Sequence, residues 1–252
     1  MRAVRDTWLI FRRSMLLTLR QPVWIILGLI QPVLYLVLFG PLLEASVTAA
    51  GTGTNAYNWF VPGLLIQTAL FGGAFVGFGL IAELRAGVIE RMRVTPMSRI
   101  AMLLGRSLRD VVILVSQAAL MMVLAIPFGL SIDPAGAAVT LALLALIGLV
   151  MAPLSYTAGL ILRSEDALAP LVNGVALPLL LLSGILLPMA LAPDWLRFLS
   201  SLNPLTHAAN AARALFNGDW GNPEVSLGVG LTAVLAIVAV WIASRAFSRA
   251  NA

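Results

Sequence analysis

Residues 139–162 read VTLALLALIGLVMAPLSYTAGLIL, a run of 24 positions without an Asp, Glu, Lys, Arg or His. As a helix rising ~1.5 Å per residue it would reach about 36 Å, enough to cross a hydrocarbon core ~30 Å thick. Five further runs pass the same test: 24–43, 57–82, 111–130, 167–187 and 225–243. None of them carries an ionisable side chain either. That partition is expected of true spans, since an arginine at a helix centre costs about 2.5–3.5 kcal/mol on insertion scales. Between the runs the charges are bunched and few, 11% of the chain against 60% hydrophobic residues, with a mean hydropathy of +0.98. A water-soluble domain needs roughly twice that share of charge to wet its surface. Lipid does the solvating here, and the expected fold class is all-α: one polytopic membrane domain over residues 1–252, with six transmembrane helices.

The arginines orient it. Arg2, Arg5, Arg12, Arg13 and Arg20 precede the first span. Arg85, Arg91, Arg93, Arg99, Arg106 and Arg109 separate spans two and three, Arg163 follows span four, and Arg245 and Arg249 follow span six. Only Arg197 and Arg213 fall on the other face. The positive-inside rule therefore puts both termini on the cytoplasmic side, and the expected location is a bacterial plasma (inner) membrane. It also accounts for the pI near 10.9 without invoking nucleic acid.

Two segments are neither spans nor plain loops. Residues 2–20 place Val4, Trp8, Phe11, Met15 and Leu19 on one stripe, with Arg5, Arg12 and Arg13 beside it. Such a helix would lie in the membrane plane before span one. Residues 188–224 are semi-apolar and broken by Pro188, Pro193 and Asn203-Pro204, too often for a seventh span. Short re-entrant or interfacial helices on the external side fit them better. Pro32, Pro127, Pro153, Pro170 and Pro178 would kink the spans, and Gly73 and Gly77 offer a close-packing pair.

Enzymatic chemistry finds little footing. The absence of cysteine excludes thiolate catalysis and Cys-ligated metals, and a single histidine, His207, cannot form a His-pair metal site. All 16 basic residues are arginines, so the lysine of a P-loop is missing and the chain should not hydrolyse ATP itself. Spans without ionisable groups also argue against a proton-coupled carrier. An ion-coupled secondary transporter remains the competing reading, through carbonyls and hydroxyls. The uncharged polar residues inside the spans that could meet a substrate are Gln67, Thr68, Gln117, Tyr156, Asn173 and Ser183. An apolar route with scattered hydrogen-bonding groups suits amphipathic drugs or lipids.

The connection at residues 83–99 carries an apolar stripe, Leu84, Val88 and Met92, with Glu90, Arg91 and Arg93 outside it and Pro96 as a stop. It is either a docking helix or a solvated topology signal. The segment ELRAGVIERMRVTPMSRIAMLLGR resembles the loop after the second span of ABC-2 type permeases, whose pattern runs E-R-x-x-G-T-x-E-x-L-x-x-T-P-x-S-R and then Gly-Lys. Glu83, Arg85, Gly87, Glu90, Thr95, Pro96, Ser98, Arg99 and Gly105 match it; Val88, Met92 and Arg106 depart from it. Residues 181–216, LLSGILLPMALAPDWLRFLSSLNPLTHAANAARALF, are similar to the family's stretch before its last span.

The resemblance implies the membrane subunit of an ATP-binding-cassette exporter, closest to drug- and antibiotic-efflux permeases. Polysaccharide or lipid-linked glycan export is the alternative within the same family. It implies a second permease chain, and a cytoplasmic ATPase subunit that binds ATP and Mg, while this chain holds no cofactor or metal. Residues 2–20 would be the connecting helix. The 83–99 loop would couple to the ATPase through Glu83, Arg85, Gly87, Glu90, Arg91, Arg93, Thr95 and Pro96. Residues 188–224, with Pro188, Trp195, Asn203, Pro204 and Thr206, would form the external re-entrant gate.

Overall fold

The computed structural model describes residues 2–21, 23–49, 56–88, 99–186, 189 and 192–249. In chain order the helices are α1 (Arg2–Leu19), α2 (Val23–Ala49), α3 (Ala56–Ala74), α4 (Val76–Arg85), α5 (Arg99–Ala125), α6 (Pro134–Leu162), α7 (Glu165–Leu182), α8 (Asp194–Ser201), α9 (Pro204–Phe216) and α10 (Pro223–Arg249). No strand occurs among the described residues. Six stretches of these are long and apolar enough to cross a membrane: Ile25–Leu43, Ala56–Arg85, Ile100–Phe128, Pro134–Leu162, Glu165–Leu182 and Pro223–Ser248.

The local sequence accounts for the helix boundaries. α5 closes in a 3-10 turn, Ile126–Phe128, because Pro127 has no N–H to continue it and Gly129 takes φ +98°. Asp133 caps α6, its carboxylate accepting from Gly136 N at 2.9 Å, with Pro134 at the first position. Pro32, Pro153, Pro170 and Pro178 lie inside helices that run on through them.

Span two is the hub. Val61, Leu64, Leu65, Ile66, Ala69 and Leu70 of α3 are wholly buried, and α3 packs on α2, α5, α6 and α9. The span is not one continuous helix, for it breaks at Phe75 between α3 and α4. Ser155 of α6 mends the break: its hydroxyl donates to Ala74 O and accepts from Gly77 N at 2.9 Å. In lipid no water is at hand to satisfy those groups, so a neighbouring helix must. The same crossing needs glycine. A Cβ on Gly77 would meet Ser155 O at 2.5 Å, and one on Gly159 would meet Gly77 O at 2.9 Å.

Around this hub α2 and α10 turn long apolar faces outward, including Leu34, Leu38 and Leu42 on α2 and Val234, Ile237 and Trp241 on α10. α9 does the reverse. Its Ala208, Ala209, Ala211 and Ala212 are fully buried against α3, α6 and α10, so a short helix is inserted among the spans. α8 presents Trp195, Phe198, Leu199 and Leu202 as an exposed apolar stripe, the face an interfacial helix offers to lipid.

α1 packs along α5, where Gly105 comes up against Thr7 O and Ile10. Its inward edge carries Ile10 (4% exposed), whereas Val4, Trp8 and Leu19 of the expected stripe face outward.

One expectation fails in an instructive way. The third span begins at Ile100, not at residue 111, so Arg106, Arg109 and Asp110 lie within it. Spans without ionisable groups were expected because a window read from sequence stops at a charge. A helix need not stop when those charges find partners inside the protein.

Candidate functional site

Four of the polar residues expected inside the spans meet in one place. Gln67 and Thr68 of α3, Gln117 of α5 and Asn173 of α7 line a half-open groove of about 660 Å³ between α2, α3, α5 and α7. Phe71 and Phe75, stacked with ring centroids 6.0 Å apart, and Leu114 and Leu177 supply its apolar wall. Gln117 also ties α5 to α2, its amide donating to Ile25 O at 2.9 Å. Gly28 leaves room for that approach, since a Cβ there would sit 3.0 Å from the Gln117 nitrogen.

One end of the groove is charged. Arg109 and Asp110 line it, joined at 2.8 Å. Arg109 also donates to Thr18 of α1 at 3.0 Å and to the Tyr156 hydroxyl of α6 at 3.1 Å, and that hydroxyl donates to Asp110. Tyr156 therefore sits behind the groove and positions its charged end rather than lining it. Three helices are fastened at this point. A second pair, Arg106 with Glu83, joins α5 to α4. These clusters bracket the connection between α4 and α5, which leaves α4 through Gly87 at φ +66° and returns at Arg99. Arg85 reaches Glu165 at 3.0 Å in an exposed pair, of small energetic weight. Glu83 and Arg85 are thus engaged within the chain. Glu90, Arg91, Arg93, Thr95, Pro96 and Pro188 lie outside the described residues.

Beyond the groove, α8 and α9 pack on the end of α7. Asn203 caps α9 by accepting from Leu205 N at 3.1 Å, while its amide donates to Leu179 O at 2.7 Å; Thr206 donates to Leu182 O at 3.2 Å. The Asn203-Pro204-Leu205-Thr206 turn thus satisfies carbonyls that the end of α7 leaves open. Ser183 is fully buried at that same end, donating to Leu180 O at 2.6 Å, and has no part in the groove. Trp195 is exposed on α8.

Arg213 was read from sequence only as an external charge. Instead it lies over the Trp59 ring at 4.3 Å and donates to Trp59 O at 3.1 Å and to Gly184 O at 2.8 Å, pinning α9 to α3 and to the turn after α7. Thr18, Arg109 and Asp110 were also passed over. Helical spacing would have found part of this set: 106, 110, 113 and 117 share one stripe, visible once the helix is started at Arg99.

His207 joins α9 to α10, one ring nitrogen 2.9 Å from Glu224 and the other 3.0 Å from Ser201 O. Burial alone would lower its pKa, but the Glu224 and Ser201 hydrogen bonds and the Glu224 charge outweigh it, so the pKa rises above the ordinary 6.5. A raised folded-state pKa favours folding fully below the unfolded value and ceases to do so as pH climbs through the folded one. Thermal stability of the wild type should therefore fall from about pH 6.5 upward relative to His207→Gln. Parallel pH profiles for the two proteins would refute the clasp.

The comparisons with known proteins agree with this architecture. The model of the ABC-2 type transporter family matches residues 5–217. The chain is 28% identical to a protein named putative transport permease ycf38 of Cyanophora paradoxa, over 85% of this chain and 75% of that one. It is 27% identical to the daunorubicin resistance ABC transporter permease protein DrrB1 of Streptomyces coeruleorubidus, over 95% of this chain and 85% of that one. A further ycf38 protein, from Porphyra purpurea, is 27% identical over 96% of this chain and 88% of its own. No solved structure matches. Six apolar helices and a family match that spans all but the last helix lead to one conclusion: the chain is a multi-pass membrane protein of the ABC-2 type transporter family.

Proposed function

We propose that the chain is the permease subunit of an exporter for amphipathic drugs or lipids, with both termini cytoplasmic in a bacterial plasma membrane. In this reading a second permease chain completes the pathway, and a separate ATPase subunit, holding ATP and Mg, docks on residues 83–99. The observation that carries it is the groove, where Gln67, Thr68, Gln117 and Asn173 converge against an apolar wall. Sites that bind small molecules are mostly apolar with a few placed polar groups. The name of the daunorubicin resistance permease supports a drug as cargo.

Ion coupling keeps one observation in its favour, a buried carboxylate, Asp110, at the end of the groove. A single experiment separates the two readings. The chain lacks cysteine, and a Cβ on Gly72, in the groove lining, has only Leu114 at 3.9 Å. Gly72→Cys is therefore a clean probe, and Gly79→Cys, open on α4, its control. In proteoliposomes with the cognate ATPase, daunorubicin movement should require ATP. It should stop when the Gly72→Cys thiol carries a bulky maleimide, and continue when the Gly79→Cys thiol does. The chain alone should move none under a proton or sodium gradient. Gradient-driven flux by the lone chain would establish the secondary-transporter reading, and unimpaired transport by the labelled Gly72→Cys protein would remove the groove from the route.

A further inference from the structure

The polar atoms of the groove are not evenly divided between donors and acceptors. Thr68 donates its hydroxyl to Leu64 O at 2.8 Å, Gln117 its amide to Ile25 O at 2.9 Å, and Asn173 its amide to Ala169 O at 3.0 Å. Every one of these partners is a backbone carbonyl, which can only accept, so the amide orientations of Gln117 and Asn173 are fixed by chemistry. Their carbonyl oxygens receive no hydrogen bond among the described residues. Gln67 is 4% exposed; its Oε1 is enclosed without a partner, and its amide, which donates to nothing among the described residues, is free to turn that oxygen to the groove. An acceptor left bare in a buried place costs free energy unless something arrives to donate to it.

Charge adds a second constraint. Arg109 and Asp110 are the charged residues of the lining and cancel each other, so the lining carries no net charge. The one enclosed donor without a partner among the described residues of the lining, Nε of Arg109, lies at this charged end. The stacked Phe71 and Phe75 rings give an apolar body a surface to rest on.

We infer that the groove selects amphiphiles by their hydrogen-bond donors, taking a hydroxyl-bearing molecule whose O–H groups bond the Gln67, Gln117 and Asn173 oxygens while its apolar part lies against Phe71 and Phe75. The inference rests on the groove being the substrate route. A site built to receive donors rejects the same molecule once they are removed.

The probes are nonyl glucoside, with four hydroxyls, and its per-O-methylated form, which has the same skeleton, no donor and greater lipid solubility. The full Gly72→Cys chain in nanodiscs is treated with N-ethylmaleimide while each glycoside is titrated below its micellar concentration, with Gly79→Cys, open on α4 and outside the groove lining, as the control. Nonyl glucoside should protect the thiol at position 72 at about five- to tenfold lower concentration than the methylated form, as one or two net hydrogen bonds allow. Neither should selectively protect the thiol at position 79. Adding Gln67→Met, of similar volume but without the acceptor, should narrow the difference. Equal protection of position 72 by both glycosides, better protection by the methylated one, or an unchanged preference in folded Gln67→Met overturns the inference. Because the glycoside comparison uses the unaltered Gln67, it stands even if that variant fails to fold. Equal protection combined with blocked transport in the maleimide-labelled protein would leave the route intact and refute the donor preference alone. Unblocked transport would refute both.

Discussion

Asp110→Ala should destabilise the folded chain by up to about 3 kcal/mol, because it strands a partly buried guanidinium whose partner carboxylate is gone. In the wild type Asp110 accepts from Arg109 at 2.8 Å and from the Tyr156 hydroxyl, and its side chain is 10% exposed. Removing both charges together is a milder change. Arg109→Met with Asp110→Ala leaves no uncompensated ion, and the double variant should recover much of the loss, a large coupling in the double-mutant cycle. Equilibrium unfolding in mixed micelles by increasing dodecyl sulfate would measure the three variants. If Asp110→Ala behaves like an ordinary surface substitution, within about 0.5 kcal/mol of wild type, the cluster does not fasten α1, α5 and α6. Export should suffer even in the fraction that folds, since the same pair shapes one end of the groove.

Reversing Glu90 tests the other half of the proposal. If the 83–99 loop docks on an ATPase, Glu90→Arg sets like charges across a packed interface, at a cost of several kcal/mol. Every 1.4 kcal/mol is about tenfold in affinity, so co-purification of the ATPase should drop by orders of magnitude and transport should cease. Insertion should survive, because the change adds positive charge to a loop already rich in arginine. Asp219→Arg, at an exposed turn between α9 and α10, is the control and should bind and transport normally. The comparison also tests orientation, since a cytoplasmic ATPase reaches residue 90 only if that loop is inside. Normal docking and transport by Glu90→Arg would reduce the loop to a topology signal.

Much of the architecture was legible in the residues. Six runs free of charge, each long enough to cross the bilayer, fix the number of spans, because the bilayer penalises an unpaired charge and an unsatisfied backbone alike. The Pro and Asn-Pro breaks of 188–224 foretold short helices, and α8 and α9 are such helices. Of the polar residues picked from the spans, Gln67, Thr68, Gln117 and Asn173 do converge, since few polar side chains are tolerated there without a protein-lined surface to face.

What composition could not reveal is which charges have partners. Arg106 and Glu83 are 23 positions apart, and Tyr156 is 46 from Asp110, so only folding brings them together. Without those partners the rational reading was to start span three after the last charge, eleven residues late. Arg213 shows the same limit. Its place over Trp59, 154 residues earlier, depends on α9 turning back into the bundle. The cost of burying an isolated group is a property of the residue and can be read from its name. The relief of that cost is a property of the pair, and the pair exists only once the helices have packed.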